Sequence, residues 1–160
     1  MRVLFLDIDG VLNSHAFIAT RGPDRVGGHW AARDIDPAAV ARLNRVLEAT
    51  EALVVVSSMW RLLHRRTVLC DILGECGFKG KILGVTPRIN EDYSRGREIA
   101  QWLRENEREP VTSYAVVDDD FDAGVGHGPR FVQTSFSVGM DDAAADRLIS
   151  ILLREVDGDG

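Results

Sequence analysis

The sequence predicts an α/β fold: a mainly parallel sheet of five strands with helices on both faces. Five short apolar runs alternate with longer segments of helical period along the chain. The first run, Val3-Leu4-Phe5-Leu6, is apolar at consecutive positions, as a strand buried on both faces requires. Asp7, Ser57 and Asp118 directly follow the first, second and fourth runs, and in open α/β sheets ligands bind outside the carboxyl ends of strands, near the point where strand order reverses.

The first strand runs into Asp7-Ile8-Asp9-Gly10. If the backbone stays extended through Ile8, Asp7 and Asp9 point the same way and place two like charges close together. A divalent cation or a shared proton removes that repulsion, and all-oxygen ligation favours Mg²⁺. Gly10 permits the tight turn that follows. Residues 13–30, with His15, Arg21, Gly22-Pro23-Asp24 and Gly27-Gly28, read as loop and hairpin. A helix then starts with Asp36 as N-cap and Pro37 at its first position, and its Val40, Leu43 and Leu47 share one face.

The second strand, Leu53 to Val56, ends in Ser57-Ser58-Met59-Trp60-Arg61. One helix is expected from Trp60 to a closing Gly77, apolar at Leu63, Leu69, Cys70 and Leu73. Arg61 follows closely enough on Ser57 to reach an anionic substrate, whereas Arg65 and Arg66 read as a solvated face. Lys81 to Val85 is the third strand, followed by an irregular loop with Pro87 and Arg88. Ser94 to Leu103 opens the next helix, with Ile99, Trp102 and Leu103 as its core stripe.

The fourth strand, Tyr114 to Val117, ends in Asp118-Asp119-Asp120. Gly124, Gly126 and Gly128 make an irregular loop that carries no phosphate-binding claim without a following helix. Arg130 to Thr134 is the fifth strand, and a last helix is capped by Asp141 or Asp142 and apolar at Leu148, Ile149 and Leu152. Residues 1–156 are expected to form one domain, with 157–160 as a flexible acidic tail.

Composition narrows the class. With 45% hydrophobic and 28% charged residues, the 160-residue chain has the make-up of a globular protein with a real core. No apolar run is long enough for a membrane span, and Met1 leads into a strand without a signal peptide, so a cytoplasmic location is expected. Cys70 and Cys76 fit no zinc spacing and read as reduced thiols. A net charge of −6 argues against a general nucleic-acid-coating surface and leaves room for a local basic site.

Asp7-Ile8-Asp9-Gly10-Val11-Leu12 resembles the first motif, DxDGxx, of the haloacid dehalogenase (HAD) superfamily of aspartate-nucleophile phosphohydrolases. The second HAD motif is similar to the strand ending in Ser57. The third, a basic residue at a helix start, is matched by Arg95 or Arg97, with Arg95 favoured because Arg95-Gly96 precedes the helix proper; arginine here departs from the usual lysine. The fourth resembles Asp118-Asp119. The four fall in HAD order across nearly the whole chain, and the set looks like the small capless HAD domains associated with RNA-repair proteins.

That resemblance implies a Rossmannoid three-layer sandwich, capless with a short flap. It also implies a Mg²⁺-dependent phosphatase in which Asp7 is the nucleophile and Asp9 the general acid and base. Ser57, with Ser58, Arg61 and Arg95, would bind the phosphoryl group. The metal would be held at Asp7, Asp9 (through its backbone carbonyl), Asp118 directly and Asp119 from the outer shell. Neither inter-motif gap has room for a cap, so an open site and a bulky substrate such as a nucleic-acid end are expected, with a small-molecule or nucleotide phosphatase as the alternative. A non-catalytic binding module and a phosphorelay receiver are the competing classes. Both Asp7 and Asp9 are intact, against the first, and the third strand ends in Gly84-Val85-Thr86 without an acceptor acid, against the second.

Overall fold

The computed structural model describes residues 1–23, 27–89 and 94–154. Its frame is one sheet of β1 (Arg2–Leu6), β2 (Leu53–Val56), β3 (Ile82–Val85), β4 (Ser113–Asp118) and β5 (Phe131–Gln133), in the order β3-β2-β1-β4-β5. Every pairing is parallel. Strand order reverses at β1, which lies between β2 and β4, so a crevice opens at its carboxyl end.

The alternation of side chains along β1 divides the core in two. Leu4 and Leu6 join Val54, Val56, Ala115 and Val117 beneath α2 (Pro37–Thr50), α4 (Arg66–Glu75) and α6 (Asp142–Leu153). Val3 and Phe5 face the other way, onto Ile99 and Trp102 of α5 (Arg95–Glu105). Phe5 meets the Trp102 ring edge-on at 5.4 Å. All four β1 side chains are fully buried, each worth roughly 1.5–3 kcal/mol relative to exposure, so the strand that carries the first acids is anchored on both faces.

The expected five-stranded α/β sandwich is the observed one, and no inserted cap domain occurs among the described residues. Several elements differ in detail. Residues 13–30 hold no strand pair among those described. Instead Ser14 caps α1 (His15–Thr20), its hydroxyl accepting from the Phe17 amide at 3.2 Å, and a 3₁₀ turn spans Trp30–Asp34. The amides of His15 and Ala16 donate to the Phe136 and Ser137 carbonyls, which docks the segment on a distant loop. Asp24 of the expected turn, and the 157–160 tail, lie outside the described residues. Asp141, rather than Asp142, caps α6. Arg130 belongs to a 3₁₀ turn before β5.

The helix expected from Trp60 to Gly77 is broken. A short α3 (Trp60–Leu63) ends at His64, whose backbone is extended, and α4 begins at Arg66. Two anchors of different phase account for the break. Leu69, Ile72 and Leu73 hold α4 on the sheet, while Leu63 and Cys70, expected inside, are exposed. Arg61 fixes α3 independently.

Arg61 is the main correction to the expected substrate-binding set. Its guanidinium donates to the Ser58 carbonyl (2.7 Å), the Thr86 carbonyl (3.0 Å), the Pro87 carbonyl (3.3 Å) and the Glu98 carboxylate (2.7 Å). Its side chain is 3% exposed and that of Glu98 is 7% exposed, so the pair clamps the ends of β2 and β3 to α5 and presents nothing to a ligand. Removing one partner strands a buried charge. Arg61→Met should therefore cost about 3–5 kcal/mol in urea unfolding, and Arg61→Met/Glu98→Met should recover much of it. A loss below about 1 kcal/mol in the single variant would show that the pair does not hold these elements together.

Candidate active site

A polar residue stands at the carboxyl end of every strand: Thr86, Ser57, Asp7, Asp118 and Thr134, in sheet order, all buried. Their backbones stay in the ladder. The amides of Asp7, Ser57, Thr86 and Thr134 donate to the carbonyls of Val117, Leu6, Val56 and Asp118 at 2.8–3.1 Å. The side chains are thereby aimed from fixed positions at one edge, with the acids on the two strands that flank the reversal of order.

One oxygen from each of Asp7, Asp118 and Asp119 lies within 4.8 Å of the others. Gly10 makes this possible from below: it has φ +74°, and a Cβ there would collide with the Asp119 carboxylate. Arg95 supplies the balancing cation. Its Nη1 lies 3.4 Å from Asp7 Oδ1 and 3.4 Å from Asp118 Oδ2, and also donates to the Ser57 carbonyl. The start of α5 is pinned to put it there. Asp122 accepts from the Arg95 amide at 2.6 Å, and Gly96 packs so close to the Val125 carbonyl that any Cβ would clash. Arg97 is exposed on the helix surface, so of the two candidate arginines Arg95 is the one that reaches the acids.

One cation does not balance three carboxylates, two of them buried. Asp7 is pushed up to about 6, chiefly by burial, with Arg95 and the Ser58 hydroxyl opposing. Asp118 is pushed up to about 8 by burial and then by the charge of Asp7. Asp119 is raised as well, again mainly by burial. These shifts come chiefly from burial disfavouring the charged carboxylates, with the charge of Asp7 adding to it at Asp118, and a cluster of hard oxygen donors is the set that Mg²⁺ accepts. The residues present therefore fit a divalent cation. Asp119 brings its oxygen into the same cluster as Asp7 and Asp118.

Asp9 departs from the expected geometry. The chain turns after Asp7, with the Val11 and Leu12 amides folding back to the Ile8 carbonyl at 3.1 and 2.8 Å, so the two acids do not stay in line. The Asp9 carboxylate accepts from the Trp60 indole N–H at 3.1 Å to each oxygen and from the Asn13 amide at 2.8 Å. Asn13 also accepts from the Gly10 amide at 2.8 Å, tying the turn to the carboxylate it orients. The Asp9 side chain is therefore outside the Asp7–Asp118–Asp119 group.

The Ser57 hydroxyl is buried and has no hydrogen-bond partner among the described residues, and the same holds for Thr86. Asp120 and Asp122 act locally: Asp120 accepts from the Asp122 amide at 3.0 Å while Asp122 anchors α5. Trp60, Asn13, Asp122 and Glu98 are the positioning residues that sequence reasoning missed. The spacing of Glu98 three residues after Arg95 on one helix face was the only advance signal among them.

HAD domains of Swiss Army Knife RNA repair proteins are the family that matches this chain, over residues 3–145. Searches of curated proteins and of solved structures each give no match.

The raised acids have a sign that can be tested. The folded chain holds protons on Asp7 and Asp118 more tightly than the unfolded chain does, so without metal each weakens the fold as pH rises from about 4 through about 6 and about 8 respectively. In chelator, the parent should melt at lower temperature at pH 8.5 than at pH 5. Asp118→Asn should flatten that slope and gain about 2–4 °C per kcal/mol at the upper end. Added Mg²⁺ should raise the parent's melting temperature much more than the variant's. A steeper slope in Asp118→Asn would contradict the charge imbalance.

Proposed function

This chain belongs to the HAD domains of Swiss Army Knife RNA repair proteins, and from that premise we propose that it is a Mg²⁺-dependent phosphomonoesterase acting on nucleic-acid ends. The family supports a phosphatase-like role in general. The observation that carries the finer reading is the arrangement around Asp7: a strand-end carboxylate flanked by Asp118, Asp119 and Arg95, with a second acid, Asp9, oriented by other groups.

In this reading an Asp7 oxygen attacks phosphorus and the bond to the leaving oxygen breaks, giving an aspartyl-phosphate. Asp9 delivers its proton to that leaving oxygen. Asp9 then takes a proton from water, whose oxygen attacks phosphorus, releasing phosphate and restoring Asp7. Trp60 and Asn13 hold Asp9 in place for both transfers. Arg95 balances charge on Asp7 before attack and on the phosphoryl oxygens afterwards. The unpartnered Ser57 hydroxyl is suited to donate to one of those oxygens, with Ser58 beside it.

Asp7, Asp118 and Asp119, with the Asp9 backbone carbonyl, would hold the Mg²⁺. When bound it supplies charge neutralisation for a loose phosphoryl-transfer transition state.

Two features support a bulky substrate. No cap covers the site among the described residues, and the matching family is named for RNA repair. A polymer end brings its own bulk to an open site, whereas a small metabolite would remain in water. Activity on a phosphorylated oligonucleotide should therefore exceed that on the matching mononucleotide in kcat/KM, and a clear preference for the mononucleotide would move the reading to a nucleotide phosphatase.

Asp7→Asn should lower Mg²⁺-dependent turnover by at least about a thousandfold with the circular dichroism spectrum unchanged. Arg95→Ala should cost about a hundredfold or more, and Arg97→Ala less than about threefold. A larger loss in Arg97→Ala than in Arg95→Ala would misplace the cation.

A further inference from the structure

A ladder of aromatic rings leads from the Asp9 carboxylate to the surface. Its inner rung is Trp60, half-buried, with its indole N–H on Asp9. His64 follows at 5.8 Å between ring centroids, and Trp30 lies 6.2 Å beyond His64. His29 closes the group, 5.4 Å from His64 and stacked on Trp30 at 5.7 Å with 30° between planes. Trp30 is 66% exposed.

Trp60 packs against the core, and the outer rings are held firmly. The His29 amide donates to both oxygens of Glu75 on α4, at 3.0 and 2.9 Å. Its ring nitrogen Nδ1 accepts from the Ala31 amide at 3.2 Å, which sets the ring's orientation. His64 is the extended residue at the break between α3 and α4, and an unbroken helix would carry its ring elsewhere. A large exposed indole with fixed neighbours, continuous with the catalytic edge, is a preorganised stacking surface. Arg65, next in sequence and exposed, adds positive charge beside it.

We propose that Trp30, His29 and His64 form a platform on which a nucleobase of a single-stranded nucleic-acid end stacks while its terminal phosphate occupies the site at Asp7. This deepens the phosphatase reading above and rests on it. Stacking accepts any base, because each has a π-face, so the platform confers a preference for unpaired ends without sequence specificity. A fully paired end hides those faces within the duplex and would not use it. The acidic net charge is consistent with recognition through a local aromatic surface in place of an extended basic one.

The test compares two labelled single-stranded oligoribonucleotides with a terminal phosphate, one carrying its end base and one abasic at that nucleotide, in 3′- and 5′-phosphate versions. Binding is read by fluorescence anisotropy in the Asp7→Asn background with Mg²⁺, and KM by hydrolysis in the parent. The base-bearing strand should bind about 5- to 150-fold more tightly than the abasic one. Trp30→Ala should bring that ratio close to one, and Trp30→Phe should keep most of it. Equal binding of the two strands, an unchanged ratio in Trp30→Ala, or no binding of either strand would each overturn the platform. Hydrolysis with no base preference would leave the phosphatase reading standing without the platform. A base preference in binding with no hydrolysis of any phosphorylated strand would remove the phosphatase reading and retain the platform.

Discussion

Everything at the catalytic edge depends on one electrostatic constraint: Asp7 and Asp118 end adjacent parallel strands, both buried, with Arg95 as the shared cation. Burial raises the proton affinity of each, the charge of Asp7 adds to it at Asp118, and Arg95 offsets only part of it. The surrounding structure is spent on keeping this arrangement in position. Leu4 and Leu6 lock β1 from one face and Val3 and Phe5 from the other. Asp122, Gly96 and the Arg61–Glu98 pair hold the first turn of α5 where Arg95 can reach the acids. A cluster of this kind is compatible with a divalent cation.

The strands were legible because their signal is local. A strand buried on both faces must be apolar at consecutive positions, and β1, β2 and β4 are. Asp7, Ser57 and Asp118 were legible for a related reason: a polar residue directly after such a run has nowhere to go but the sheet edge. Arg95 was favoured over Arg97 on the expectation that Arg95-Gly96 precedes the helix proper; α5 in fact begins at Arg95, and it is this first helical position that faces the acids.

What the sequence concealed was set by partners distant along the chain. Arg61 is as basic as Arg95 and closer in sequence to Ser57, yet Glu98, 37 residues later, takes it into the core. The direction of the Asp9 side chain depends on Trp60, 51 residues away. The break at His64 was invisible to periodicity, since Leu63, Leu69, Cys70 and Leu73 suit a single helix as a pattern, and only the anchoring of Arg61 shows that they do not share a face. Within the segment read as loop and hairpin, Ser14 caps a helix over His15–Thr20 that its turn-prone neighbours had masked.

These concealed contacts connect chemistry to recognition. Trp60 holds the Asp9 carboxylate at one end and meets His64 at the other, so the group that positions Asp9 is also the first step toward the exposed rings at Trp30. The central claim, however, concerns Asp7, and trapping its covalent intermediate tests it most directly. Borohydride added during turnover reduces an acyl-phosphate to the alcohol, and peptide mass mapping then finds the altered residue. The account predicts homoserine at position 7, dependent on both substrate and Mg²⁺; an unmodified Asp7 with the reduced residue at Asp9 or Asp118, or turnover with no trapped residue anywhere, would contradict it.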